Sequence, residues 1–115
     1  MHPQFPNLYS PIQIGSLTLK NRIIASPSSQ GDIEDNGTLG KHNIAYYARK
    51  AKGGASLVTV GDGIVHPTGK DHPKQVLLYT DACLPSLARC AEEVHKYGAF
   101  ISYELSHGGI VCDPA

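Results

Sequence analysis

Charged residues are scarce in this chain. Aspartate, glutamate, lysine and arginine make up 17% of its 115 residues, whereas about 25% is usual for a soluble domain. The ten basic and ten acidic residues cancel to a formal net charge of zero, and the basic ones are scattered along the sequence. Proteins that bind nucleic acid or an anionic membrane surface carry clustered basic residues, so neither partner is predicted. The low charge indicates instead that another structure covers part of the surface.

Long apolar segments are also absent. No uninterrupted apolar run approaches the roughly 20 residues that a membrane-spanning helix needs. The opening residues, MHPQFPNLYSP, lack the basic and then apolar layout of a secretory signal peptide. We therefore expect a cytoplasmic protein without membrane association. With 115 residues, 41% of them hydrophobic, a single domain with a modest core is expected.

Metal-binding cysteine patterns are missing too. Cys83, Cys90 and Cys112 form no CxxC motif and no cysteine–histidine spacing typical of a metal site. In a chain expected to be intracellular, reduced thiols are favoured over the two alternatives, a metal site and a disulfide. Cys83 and Cys90 lie seven residues apart on a predicted helix, which indicates a shared, core-facing side.

What the sequence does contain is a short hairpin followed by alternating strands and helices. Residues 12–14 and 17–19 alternate apolar and polar side chains around Gly15-Ser16, a pair suited to a type II′ turn. A hairpin this short cannot form a core, so we expect it to cap a larger structure. The further predictions are an irregular leader over 1–11, strands at 23–25, 56–60 and from 100, loops at 28–37 and 61–80, a helix from 38 to 52, and a second helix beginning between 81 and 85.

Two residues are predicted to end elements sharply. Pro27 should stop the first strand, because proline cannot continue the hydrogen bonding of a central strand. Gly53-Gly54 should end the first helix in a left-handed conformation. The resulting order of hairpin, β, α, β, α, β predicts a parallel sheet with right-handed crossovers.

The predicted fold class is α/β, as the N-terminal part of a (β/α)8 TIM barrel: a hairpin plus about two and a half βα units. Strands about forty residues apart suit βα units with enlarged loops after the strands. Because so few units cannot close an eight-stranded barrel, residues 1–115 are expected to be an incomplete portion of the domain. A small, complete three-stranded domain is the alternative.

Polar residues follow each predicted strand. They occupy residues 26–30, 61–63 and 104–109, the last at the end of FISYELSHGG. Since the carboxyl ends of parallel strands share one edge of a sheet, these residues predict a ligand site there.

The ordered set of motifs resembles the old yellow enzyme family of flavin oxidoreductases, closest to its branch with 2,4-dienoyl-CoA reductase and 2-enoate reductase. The resemblance covers nearly the whole chain and corresponds to the N-terminal third of the family's barrel. The segments that carry it are LYSPI (8–12), IGSLTLKNRI (14–23), YY (46–47), AKGGA (51–55), VH (94–95), GA (98–99) and LSHGG (105–109).

The resemblance implies an enzyme that binds FMN and passes hydride from NAD(P)H through the flavin to an activated C=C bond of a small unsaturated carbonyl substrate. It implies that Ser26, Pro27, Ser28 and Ser29 pack on the flavin, with Ser29 donating toward flavin O4. The remainder of the barrel is an implied partner, and a homo-oligomer is a further expectation. Any 4Fe-4S cluster or FAD would be bound outside this chain.

Two acidic residues complete the candidate cofactor site. The loop 61–63 usually meets the flavin edge, and the resemblance leaves open whether Gly61, Asp62 or Gly63 does so; capping of the turn is the alternative for Asp62. Glu104 stands where many relatives have a glutamine that binds the pyrimidine ring. An ionised glutamate only accepts hydrogen bonds, so Glu104 is expected to lower the flavin potential. His107 is expected to fix its loop. The catalytic residues are unknown, because most residues that the family uses for catalysis would lie beyond residue 115. No metal site is predicted.

Two other functions remain open from the sequence. One is a non-catalytic truncated or assembly piece of a TIM barrel. The other is a phosphate-handling lyase or isomerase on the same fold, which would need a basic residue at a strand end. The first two predicted strands end instead near Ser26 and Val60.

Overall fold

The computed structural model describes residues 4–112, and its elements follow the predicted order except that a short strand, Val76–Leu77, interrupts the predicted loop 61–80. The strands are β1 Ile12–Ile14, β2 Leu17–Leu19, β3 Ile24–Ser28, β4 Leu57–Ile64, β5 Val76–Leu77 and β6 Phe100–Ser106. The helices are α1 Lys41–Lys52 and α2 Leu84–His95, and short 3-10 turns lie at Pro67–Gly69, Asp81–Cys83 and Gly109–Val111. Residues 4–11 contain turns but no strand or helix, as predicted for the leader, whose residues 1–3 lie outside the described part.

The hairpin closes the amino-terminal end of the sheet. β1 pairs antiparallel with β2, and Gly15 has φ +58°, as the first central residue of a type II′ turn requires. Lys20 Nζ donates to the carbonyl of Tyr97 at 2.7 Å, and Asn21 Nδ2 donates to that of Gly54 at 2.7 Å. Lys20 and Asn21, directly after the hairpin, therefore tie it to the turns that follow both helices, as its predicted capping role requires.

β4 is the central strand of a parallel sheet. β3 pairs with its first half, the short β5 with Gly63 and Ile64, and β6 along its whole length. Val58 and Val60 of β4 are at most 2% exposed, as expected of a strand covered by helices. The predicted α/β class with a parallel sheet is confirmed.

Two predicted strand ends are wrong, and both errors lie at the carboxyl edge of the sheet. β3 continues through Pro27 to Ser28, because its pairing with β4 shifts register at this point and leaves Pro27 without a ladder partner. β4 runs on to Ile64 instead of ending at Val60, so residues 61–63 belong to a strand and not to a loop. Its pairing with β6 also shifts register there.

α1 begins three residues later than predicted, at Lys41, because its cap comes from a distant side chain. The N-cap residue Gly40 has no side chain to offer. Asp32 Oδ2 instead accepts the N–H groups of His42 at 2.7 Å and Asn43 at 3.1 Å. A Cβ at Gly40 would overlap the Asp32 carboxylate, so glycine gives the capping group room.

Removing this cap should destabilise the protein. Asp32→Ala leaves two N–H groups of the first turn without their acceptor, and losses of this kind cost about 1 kcal/mol of the free energy of unfolding. Asp35→Ala is the matched control, because the Asp35 side chain is fully exposed and, within residues 4–112, its only ion pair is with Lys74; such surface pairs contribute roughly 0–1 kcal/mol. Urea unfolding of the full-length protein measures both losses, and equal losses for the two variants would contradict the capping role.

Both helices end at glycines with positive φ. Gly54 has φ +111°, and its N–H donates to the Ala51 carbonyl at 3.0 Å while Ala55 N–H donates to that of Lys50 at 3.3 Å. This is a Schellman motif, and it confirms the predicted left-handed end of α1. Gly98, with φ +69°, follows α2 in the same way. Among residues 4–112, no helix is long and apolar enough to cross a membrane.

The core lies between the helices and β4. Tyr47 of α1 and Val94 of α2 are at most 1% exposed and belong to one apolar cluster with Val58. Cys83 and Cys90 are buried free thiols in that cluster, so the predicted packing role is confirmed. Burial raises the pKa of the Cys90 thiol to about 11, which keeps it protonated and unreactive at neutral pH.

Candidate functional site

Five side chains form one hydrogen-bonded group at the carboxyl end of the sheet, here called the Asp62 cluster. Its members are Ser29 after β3, Asp62 in β4, His72 and Gln75 between β4 and β5, and Glu104 in β6. The Asp62 carboxylate accepts hydrogen bonds from Ser29 Oγ, from His72 Nε2 at 2.9 Å and from Gln75 Nε2 at 2.7 Å. Asp62 N–H donates to Glu104 Oε1 at 3.1 Å. The polar residues of three strand ends therefore meet, as the sequence predicts, although Asp62 lies within β4 and Glu104 within β6.

Gln75 fixes the loop against Asp62. Its side chain is buried, with 2% exposure, and Nε2 donates to Asp62 Oδ2 and Asp71 Oδ1, both at 2.7 Å. Its Oε1 accepts the N–H groups of Asp71 at 3.1 Å and His72 at 3.4 Å. All four hydrogen-bonding positions of the amide are used, so its orientation is determined. Asp62, Asp71 and His72 each bring a possible metal ligand atom within 4.8 Å of the others, and the bridging amide accounts for this closeness.

The pKa of Asp62 lies below its ordinary value. Partial burial raises this pKa, because it disfavours the charged form, but hydrogen bonds from Ser29, Gln75 and His72 together outweigh burial, with a further contribution from the His72 charge. Asp62 is therefore ionised at neutral pH and acts only as a hydrogen-bond acceptor.

This shift makes the stability of the cluster depend on pH. Folding lowers the Asp62 pKa from its ordinary 3.8, so the contribution is fully present above that value and is lost as pH falls through the lower folded value. Urea unfolding of the full-length protein across this range should show the free-energy advantage of the wild type over Asp62→Asn shrinking below about pH 4. Ser29→Ala should weaken this dependence by removing one donor. An advantage that is constant with pH would contradict the assignment.

Tyr47 holds β3 and β4 in close contact beneath the cluster. Its hydroxyl donates to the Ser28 carbonyl at 2.6 Å and accepts the Gly61 N–H at 3.3 Å. A Cβ at Gly61 would lie 2.7 Å from Ser28 C and 2.8 Å from Ser29 N. Gly61 therefore serves the approach of two strands of this chain, and no side chain fits at this position.

The predicted serine segment divides into two parts. Ser29 joins the Asp62 cluster, and Ser28 Oγ lies 3.2 Å from Tyr46 Oη, so both are tied to other elements. Hydrogen bonds from Lys50 and then Ser28 lower the pKa of Tyr46. Ser26 and Pro27 are exposed on β3, and neither side chain hydrogen-bonds to another residue in the range 4–112.

Glu104 presents an open carboxylate oxygen. Its Oε1 is used by the Asp62 N–H, whereas Oε2 has no hydrogen-bond partner within residues 4–112. No lysine or arginine of the described chain pairs with it. The neighbouring Leu105 is 70% exposed. This corner of the site therefore combines a negative charge with an uncovered apolar side chain.

His107 fixes the loop after β6 by hydrogen bonds on both ring nitrogens. Nδ1 accepts the Gly109 N–H at 3.0 Å, which leaves the proton of the neutral ring on Nε2, 3.1 Å from Thr68 Oγ1. The Gly108 N–H donates to the Gly69 carbonyl at 2.8 Å. The geometry agrees with the structural role predicted for His107.

Sequence reasoning missed two members of the Asp62 cluster. His72 and Gln75 belong to no predicted motif and to no predicted site. One signal was present: a predicted loop of twenty residues, 61–80, is longer than most connections in compact domains, and long loops often serve a site. Length alone does not say which of its residues turn toward the sheet.

The comparison with known proteins gives the family. Residues 7–114 match the model of the NADH:flavin oxidoreductase / NADH oxidase family. The chain belongs to this family. It is 35% identical over 106 residues to the NADH oxidase of Thermoanaerobacter brockii, covering 91% of this chain and 16% of that protein. It is 32% identical over 117 residues to the cinnamate reductase of Clostridium sporogenes, covering 94% of this chain and 17% of that protein.

Solved structures of the family show the same fold. The chain aligns with a 2-naphthoyl-CoA reductase at a TM-score of 0.90 and 29% identity, covering 95% of this chain and 17% of that one. It aligns with the old yellow enzyme of Pichia sp. AKU4542 at 0.86 and 28% identity, covering 94% and 28%. The predictions of an old yellow enzyme relative and of the N-terminal part of a TIM barrel are confirmed.

Proposed function

We propose that this chain is the N-terminal part of an FMN-dependent NAD(P)H oxidoreductase that transfers hydride through the flavin to an activated C=C bond. The observation that carries the proposal is the Asp62 cluster, which joins the ends of three parallel strands at the edge where such folds bind ligands. The substrate class is a small unsaturated carboxylate or thioester, as the names of the cinnamate and 2-naphthoyl-CoA reductases suggest.

The residues of the cluster fit one edge of a flavin. Glu104 Oε2 is an open acceptor, which suits an N–H group such as that of the pyrimidine ring. The cavity behind the cluster, lined by Asn43, Lys74 and Gln75 among others, has a volume of only about 10 Å³, far less than the roughly 300–1,000 Å³ of typical ligand pockets. The flavin would therefore lie on the exposed side of the cluster, against Ser26, Pro27 and Ser29. FMN supplies the hydride chemistry there, and these residues would bind and orient it.

The rest of the barrel completes the site. Ile24 of β3 and Leu105 of β6 are 49% and 70% exposed, and Ile110 beyond β6 is fully exposed. Apolar residues on the two outer strands of a partial sheet are what further βα units would cover. A 4Fe-4S cluster is held by four cysteine thiolates, and this chain has three cysteines, two of them buried in its core. Any such cluster would therefore be bound outside this chain, and the same is proposed for any FAD.

A phosphate-handling enzyme is disfavoured by the charges at the site. Lys74, the basic residue lining the cavity, donates to the Ile33 carbonyl at 3.1 Å and pairs with Asp35 at 3.2 Å. The cluster itself carries the carboxylates of Asp62 and Glu104, which repel an anion.

Purification of the full-length protein tests the proposed function. We expect flavin absorbance, release of FMN on denaturation, and NAD(P)H oxidation that depends on a cinnamate-type acid or its thioester. Residues 1–115 expressed alone should neither retain FMN nor turn over. A colourless full-length protein, or a folded and cooperatively unfolding 115-residue monomer, would contradict the proposal.

A further inference from the structure

We infer that Asp62 fixes Ser29 as a hydrogen-bond acceptor toward the flavin, so that Ser29 does not donate to the ring. This inference rests on the proposed function and reverses the role that the family resemblance implies for Ser29. It makes Asp62 a positioning residue, which acts on the cofactor through a neighbouring side chain.

The hydroxyl group of Ser29 has a single proton. A hydroxyl has one proton to donate and two lone pairs with which to accept. Ser29 Oγ donates to Asp62 Oδ1, and an ionised carboxylate has no proton to return. The Ser29 proton is therefore committed within the protein, and lone pairs remain on its exposed side.

The Asp62 carboxylate cannot rotate away from Ser29. Asp62 Oδ2 accepts from His72 Nε2 at 2.9 Å and from Gln75 Nε2 at 2.7 Å. Gln75 is held in turn by the backbone of Asp71 and His72. These contacts fix Oδ2, and they leave Oδ1 for Ser29.

A second side chain of the cluster, Glu104 of β6, is also a hydrogen-bond acceptor. Glu104, joined to the Asp62 backbone at 3.1 Å, also accepts without donating when ionised. The described wall of the site is therefore made of acceptors at both places where side chains of the cluster face outward. Such a wall binds ring N–H groups and gives no hydrogen bond to ring carbonyls.

Asp62→Asn is a near-isosteric change that should reverse the bond to Ser29. His72 and Gln75 both donate toward the Oδ2 position, so the asparagine oxygen must occupy it. The asparagine NH₂ then faces Ser29 and donates to its oxygen, and the Ser29 proton becomes free for the ring. The carboxylate charge is lost at the same time, so the effect must be measured with and without Ser29.

The test is the infrared spectrum of the flavin carbonyl bands in the FMN-loaded full-length protein, since a donated hydrogen bond lowers a carbonyl frequency. Ser29→Ala alone should leave the bands in place, as should the matched control Ser16→Ala in the distant hairpin turn. Asp62→Asn should lower one band, and Asp62→Asn combined with Ser29→Ala should not. A second measurement, which does not depend on the cofactor, is the free energy of unfolding as a function of pH. Ser29→Ala should weaken this pH dependence.

Three results would overturn the inference. An upward shift of a carbonyl band in Ser29→Ala would show that Ser29 donates to the ring. A downshift in Asp62→Asn that persists without Ser29 would show that Asp62 acts by charge alone. A pH dependence of stability that Ser29→Ala leaves unchanged would show that Ser29 does not donate a hydrogen bond to Asp62. Each of these three results leaves the proposed function intact, whereas a full-length protein without FMN would overturn both the proposed function and the inference about Ser29. Because Ser29 is exposed, Ser29→Ala decides the question even if Asp62→Asn does not fold.

Discussion

Replacing Gly61 by alanine should destabilise the protein by about 3 kcal/mol, at the upper end of the usual cost of overpacking. The added Cβ would stand 2.7 Å from Ser28 C, 2.8 Å from Ser29 N and 2.9 Å from Ser28 N. All three are backbone atoms, so no side chain can rotate to make room. β3 would have to move away from β4, which would also stretch the two hydrogen bonds of the Tyr47 hydroxyl.

The same displacement should weaken the proposed cofactor site. Ser29 follows directly on the displaced backbone and would lose its contact with Asp62. Urea unfolding and FMN retention by the full-length protein measure the two effects. Gly31→Ala is the matched control, because a Cβ there meets no atom within 4 Å, and its change should stay within about 0.5 kcal/mol. Equal stability of the two variants would show that β3 and β4 are not packed as closely as described.

Glu104→Gln should raise the reduction potential of the bound flavin by on the order of 30 mV, which corresponds to about 1.4 kcal/mol for a two-electron couple. The ionised carboxylate disfavours negative charge on the reduced ring and cannot donate to a ring oxygen. Glutamine removes the charge, can still accept the Asp62 N–H that Glu104 Oε1 accepts at 3.1 Å, and adds a donor toward the ring.

A spectroscopic redox titration of the full-length protein checks this effect. Glu92→Gln serves as the matched control, since Glu92 is exposed on α2, away from the Asp62 cluster. An unchanged potential in Glu104→Gln would mean that Glu104 faces solvent rather than the ring. A shift of equal size in Glu92→Gln would mean that the potential follows net charge alone.

The sequence predicts the local features of this fold well because their causes are local. The hairpin depends on Gly15 at a turn position that requires positive φ, and the end of α1 on Gly54 in the same way. The alternation of strands and helices follows from apolar periodicity. The start of α1 is predicted less well, because Asp32 caps it from outside the helix.

The candidate site is only partly predictable because its bonds join distant positions. Ser29 and Asp62 are 33 residues apart, and Asp62 and Glu104 are 42 apart. Parallel topology brings these strand ends together, so their meeting can be predicted, whereas the donor and acceptor roles cannot. Pro27 shows the same limit, since its tolerance in β3 depends on a register shift against β4.

The central claim is that the Asp62 cluster forms one side of an FMN site. Its most direct test is to purify the full-length protein, denature it, and identify any released flavin by chromatography and absorbance. We expect the released flavin to be FMN, at close to one molecule per chain. The amount should fall markedly in Gly61→Ala but not in Gly31→Ala. A full-length protein that folds and contains no flavin, even after incubation with FMN, would contradict it.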